Sequence, residues 1–100
     1  MLYYYYTFIM GDIMNQSDIL INNLTKLHTT DLGIFRIKRN LSLDSSVDAV
    51  EWCREKILSN RDSISRNGKN YYISADNCVI TVNAHSFTII TAHKIKEASI

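Results

Sequence analysis

Proline is absent from this 100-residue chain, and glycine occurs only at Gly11, Gly33 and Gly68. That composition leaves no Pro- or Gly-rich linker and no low-complexity region. Cysteine is equally sparse. Cys53 and Cys78 form no C-x-x-C pair and have no His or Cys partner at ligand spacing, which argues against a zinc site or a redox motif. A strong net charge of either sign is missing too. At +1 the chain has no global field to draw nucleic acid or a membrane surface. There is no long apolar run. The most apolar stretch, Met1 to Met10 (MLYYYYTFIM), falls well short of the roughly 20 residues a bilayer requires. It has no Lys or Arg ahead of it and no small-residue cleavage site, so it reads poorly as a signal peptide. We read residues 1–14 as a non-core extension, with Met14 as the true start of translation; a surface-adhering tail is the alternative. Residues 15–100 then form the single domain.

What is present is an ordinary globular composition, 46% hydrophobic and 21% charged, enough for one modest core. Both cysteines fall on predicted apolar faces, as buried reduced thiols of a cytoplasmic protein would.

The last third of the chain, Ile64 to Ile95, reads as four β-strands in succession. Asn67-Gly68 is a hairpin signal, Asp76-Asn77 marks a second turn, and Ala84 to Ser86 a third. Two-residue loops keep one apolar face in phase throughout. That face holds Ile64, Tyr71, Ile73, Ala75, Cys78, Ile80, Val82, Phe87 and Ile89, and ends in Thr91 and His93. The other face holds Ser63, Ser65, Tyr72, Ser74, Val79, Thr81, Asn83, Thr88, Ile90, Ala92 and Lys94.

Upstream the period changes to that of helices. Ser17 or Asp18 caps a first helix with Leu20, Ile21, Leu24 and Leu27 on one side, broken at His28-Thr29-Thr30. Thr30 caps a second helix, Asp31 to Leu41, with Ile34, Ile37 and Leu41 on its stripe. Gly33 lies beside that stripe and permits close approach, Arg36 and Asn40 share one flank, and Leu32, Phe35 and Arg39 face away. Asp44 or Ser45 starts a third helix with Val47, Val50, Cys53 and Ile57 inward. The expected fold is therefore α+β: two to three N-terminal helices packed on one face of a four-stranded antiparallel β-meander.

Three groups of residues invite chemistry. His93 sits on the predicted core-facing side near the end of the last strand, beside Thr91 and Lys94; it either meets His28 across a cleft as acid and base or closes the core edge through a backbone hydrogen bond. Arg36 and Arg39 suit phosphate through their planar forks, or are solvated surface residues. Tyr72, flanked by Arg66 and Lys69, is either a base-stacking platform or part of a well-made turn. No nucleophile elbow, H-E-x-x-H, Walker loop or dinucleotide fingerprint occurs. No acidic pair on the sheet suits Mg²⁺. We expect no metal and no cofactor.

The runs L-H-T-T-D-L-G-I-F-R-I-K-R-N-L (Leu27 to Leu41), V-E-W-C (Val50 to Cys53), I-S-R-N-G-K-N-Y-Y (Ile64 to Tyr72) and T-V-N-A-H-S-F-T-I-I-T-A-H-K (Thr81 to Lys94) resemble the short prokaryotic proteins grouped as the domain of unknown function DUF3781. That resemblance spans Ile19 to Ile95 and implies a family without an established activity. In architecture alone, helices before a four-stranded meander are similar to the barnase, colicin and RelE group of metal-independent ribonucleases. Transferred by residue type, that analogy names His28 and His93 as catalytic, and Arg36, Arg39 and Lys94 as RNA- or phosphate-binding. No Glu lies on the sheet, so histidine would have to act as base.

Two functions stand side by side: a non-catalytic interaction module with a protein partner, or an RNA-binding or RNA-cleaving protein. Neither involves a membrane. Deleting Met1 to Ile13 should leave the melting temperature nearly unchanged, because the caps and periodic faces begin after Met14. A drop of many degrees in a thermal melt would place the tyrosine run inside the core.

Overall fold

The computed structural model describes residues 16–95; the extension of residues 1–14 lies outside them. Three helices precede the sheet: α1 (residues 16–22), α2 (Asp31–Leu41) and α3 (Ala49–Ser59). A 3-10 turn at Leu24–Lys26 follows α1, and another at Arg61–Ser63 leads into the strands. β1 (Ile64–Asn67), β2 (Asn70–Ala75), β3 (Cys78–Asn83) and β4 (Ile89–Lys94) pair antiparallel in sequence order. The fold is the expected α+β arrangement.

Turn chemistry sets the meander. Ala75 pairs with Cys78 across Asp76 and Asn77, both of which have positive φ (48° and 67°), as a type I′ turn requires. At the first hairpin Asn67 pairs with Asn70, so Gly68 and Lys69 form the loop and Asn67 closes the ladder. The Asn-Gly signal thus lies one residue ahead of the turn centre. Gly68 (φ 64°) occupies the first central position, where a type II′ turn needs positive φ. In the third turn the Asn83 side-chain oxygen accepts from the backbone N–H groups of His85 and Ser86, both at 2.9 Å.

The register lays residues across the sheet in rows. Ile64, Ile73, Ile80 and Ala92 form one core-facing row; Tyr71, Val82 and Ile89 belong to another. All but Ile64 are fully or almost fully buried. Arg66 shares the second row and holds its guanidinium 5.7 Å from the centre of the Tyr71 ring. The outer face carries Ser65, Tyr72, Thr81 and Thr91, with Ser74, Val79 and His93 in the next row. Thr81 is buried there despite facing away from the helices.

Strand β4 departs from strict alternation. A bulge opposite Thr81 and Val82 inserts Ile90, so Ile89 faces Val82 but Ala92 faces Ile80. Beyond Ile89 the expected faces are therefore exchanged: Ala92 enters the core, Thr91 and His93 turn outward, and Lys94 lies opposite Cys78. The physical reason is α2, which packs along β4. Ala92, wholly buried, gives the helix room, whereas a buried histidine would need a partner there.

The helices follow their caps. Thr30 Oγ1 accepts from Gly33 N at 3.0 Å, and α2 spans the expected residues. α3 starts later than expected. Asp44 instead takes Ser46 N (2.9 Å) and Ser46 Oγ (2.7 Å) into a local turn, leaving Asp48 to cap α3 through Glu51 N. Val47 therefore precedes the helix, and the buried stripe is Ala49, Cys53 and Ile57. From α3, Arg54 reaches back to donate to the carbonyls of Leu24 (2.9 Å) and Leu27 (3.4 Å), closing the end of the first helical segment. Lys56 pairs with Asp76 at 2.6 Å, joining α3 to the second hairpin.

Ile80 sits in the central row at 0% exposure. Ile80→Ala should lower unfolding stability by about 2–5 kcal/mol in urea titrations, the usual range for a truncated core aliphatic. A loss of only a few tenths would contradict this register.

Candidate functional site

The segment after α1 runs briefly beside β4. His28 N donates to Phe87 O (3.3 Å), and His28 O accepts from Ile89 N (2.8 Å), a short parallel bridge on the sheet edge. Phe87 has φ 59°, a rare value for a bulky side chain. In that conformation its carbonyl meets His28, its N–H reaches Asn83 O at 2.9 Å, and its ring stays buried. Thr29 Oγ1 donates to Ile89 O at 3.0 Å. Further along, Asn40 Nδ2 donates to Ala92 O at 3.2 Å. Gly33 is required by this arrangement, since a Cβ there would run into the Thr29 hydroxyl.

The His28 ring is oriented on both sides. Its Nδ1 lies 2.8 Å from Lys26 O, a pure acceptor, so Nδ1 carries the proton and Nε2 accepts from Thr88 Oγ1 at 3.1 Å. Thr88 Oγ1 in turn lies 2.7 Å from Ser86 Oγ, whose single proton serves either that contact or Asn83 Oδ1 at 3.1 Å. A hydroxyl held on an oriented imidazole has the elements of a nucleophile and base. Here every link of the chain is exposed, and together the links close the third turn onto the His28 segment.

The two candidate histidines do not converge. His28 and His93 both lie toward the outer side, but His93 is five residues beyond Thr88 along β4, about 16 Å at the usual rise per residue. His93 is exposed opposite Val79, away from the helical layer. Lys94 is exposed on the helix-facing side at the far end of the strand. Arg36 and Arg39 are exposed on α2. Among the described residues no group of three His, Cys, Asp or Glu is placed to hold a metal. No helix among them is long and apolar enough to cross a membrane.

The cysteines make poor nucleophiles. Both are buried and unbridged. Burial first, and the neighbouring Cys78 thiol second, push the Cys53 thiol up to about 12. Cys78 is also raised, mainly by burial, and its Sγ donates to Ala75 O at 2.8 Å.

The surface with the most distinctive chemistry is the outward side of α2. Leu32 is 55% exposed and Phe35 60%, the largest values among the big apolar side chains of the described residues. The Arg39 guanidinium lies 5.7 Å from the centre of the Phe35 ring. Phe35, Lys38, Arg39, Leu43 and Ser45 line a shallow, mostly apolar depression of about 270 Å³. The i, i+3, i+7 spacing of Leu32, Phe35 and Arg39 marks this face in the sequence; the depression beside it depends on how the chain after α2 turns. Ser42, in a left-handed conformation (φ 56°), makes that turn, and Lys38 Nζ holds it by donating to Ser45 O at 2.7 Å.

Residues 21–93 match the family model described as a protein of unknown function, DUF3781. The chain belongs to that family. No curated protein and no solved structure matches it.

Cys53 and Cys78 should resist alkylation in the native protein at neutral pH and react only after denaturant is added. The raised Cys53 thiol contributes stability that is complete below the ordinary thiol pKa of about 8.5 and declines above it. That decline continues as pH rises toward about 12. Unfolding midpoints should therefore fall less steeply with alkaline pH in Cys53→Ala than in the parent. Rapid native alkylation of Cys53 would show that the thiol is not enclosed.

Proposed function

We propose that the protein is a non-catalytic interaction module of the cytoplasm that binds a protein partner through the outward side of α2. One observation carries this reading: Leu32 and Phe35, both more than half exposed, stand on the side of α2 opposite Ile37 and Leu41, with Arg39 stacked at their edge. Apolar side chains cost free energy when left in water, and arginine with aromatics is the composition that dominates binding hot spots. The wide spacing of His28 and His93 supports a role without catalysis. The unbridged thiols support a reducing compartment.

RNA binding is the second reading, favoured by Arg36 and Arg39 standing exposed beside Phe35, a cationic edge next to a stacking ring.

A photo-reactive phenylalanine analogue at position 35 discriminates between the two. Irradiation in cells should give an adduct to protein that Arg39→Glu diminishes, and the same analogue at Ser74, on the outer sheet face, should not give it. An adduct to RNA, lost steeply as salt rises, would favour the second reading. Absence of any adduct at position 35 would overturn both.

A further inference from the structure

We propose that the outer surface of the helical layer is self-complementary and that its partner is a second copy of this chain. This deepens the reading above and rests on it.

The surface has two unlike halves. Helix geometry turns Leu32, Phe35 and Arg39 of α2 directly away from Ile37 and Leu41, with Arg36 on the flank. The same geometry on α3 turns Glu51, Glu55 and Leu58 away from Ala49, Cys53 and Ile57, with Asp48 beside them. Both helices contribute their opposite sides to one core beneath. The outward residues therefore share one broad surface, basic and aromatic over α2, acidic and aliphatic over α3. Leu58 is 50% exposed. Within the acidic half, Glu51 already holds Arg54 and Asp48 caps its helix. Glu55 is exposed and holds no ion pair among the described residues.

A two-fold axis over this layer places α2 of each copy against α3 of the other. Arg39 then meets Glu55 of the second copy, and Leu58 of the second copy faces the depression beside Phe35. The same two contacts recur by symmetry. An interface in which residue i meets j and j meets i closes on itself and stops at a dimer. Each half would cover the apolar side chains that the other leaves in water. A single helical layer from an 11.5 kDa chain offers a small interface, so the dimer should be weak and reversible.

Charge reversal in trans is the test. Sedimentation velocity at low salt, from micromolar to near-millimolar protein, should show a monomer–dimer equilibrium in the parent. Arg39→Glu alone should weaken it at least tenfold, because both symmetric contacts then oppose two carboxylates. Glu55→Arg alone should do the same, because both contacts then oppose two guanidinium groups. An equimolar mixture of the two variants should dimerise again, since each contact in the mixed dimer pairs like with like in neither copy: one joins the two native residues, the other the two reversed ones, and both unite opposite charges. Circular dichroism should show each variant folded, as expected for exposed positions. Phe35→Ser should weaken the dimer in every combination.

A parent that stays monomeric at near-millimolar concentration overturns the proposal. So does a dimer indifferent to both reversals, or a mixture that does not recover. If the parent is monomeric while position 35 still photo-crosslinks to a different protein, the second-copy partner falls and the interaction module stands. A monomeric parent without any adduct at position 35 removes both.

Discussion

The open edge of β4 is the constraint around which this fold is arranged. An edge strand presents a row of unsatisfied backbone groups and invites pairing with other chains. Here His28 contributes a bridge to Phe87 O and Ile89 N, Thr29 supplies a hydroxyl to Ile89 O, and Asn40 supplies an amide to Ala92 O. Each partner places a demand on its neighbours. Phe87 adopts positive φ to present its carbonyl, Gly33 leaves space for Thr29, and α2 lies close enough along the strand for Asn40 to reach it. The bulge at Ile90 follows from the same closeness, since the small Ala92 must lie beneath the helix.

Much of this was legible in the chain, and the misreadings share a cause. Thr30 as a cap, the Ile34, Ile37, Leu41 stripe, the Asp76-Asn77 turn and the central row of Ile73 and Ile80 are local signals, each fixed by a few neighbouring residues. The face of His93 was not legible. Alternation through Ile89, Ile90 and Thr91 fits either phase, because both isoleucines suit a core, and only the helix packed across the strand decides between them. The start of α3 failed for a related reason. Asp44 and Asp48 are both good caps, and Ser46 captures the first of them into a turn.

For the site, residue types were informative and their convergence was not. Histidine, arginine and lysine in the right chain order suggested a ribonuclease-like cleft. A single inserted residue in β4 exchanges the faces of Thr91, His93 and Lys94, which separates the cleft's parts. The apolar side of α2 survives translation into structure because helical spacing alone defines it. Leu32, Phe35 and Arg39 point outward wherever the helix is placed.

The His28 bridge also imposes an order of assembly. The three hairpins are closed by short turns, and their contacts form between near neighbours in the chain. The bonds from His28 and Thr29 to Thr88 and Ile89 join residues 60 apart. Closing a loop of that length costs about 3–4 kcal/mol of chain entropy before any contact repays it. The meander is therefore the natural early structure, with the helical segment docking onto a sheet already formed. Run in reverse, the same difference makes this seam the first to part: release of the His28 segment frees the β4 edge while the hairpins hold, a partial opening confined to one side of the molecule.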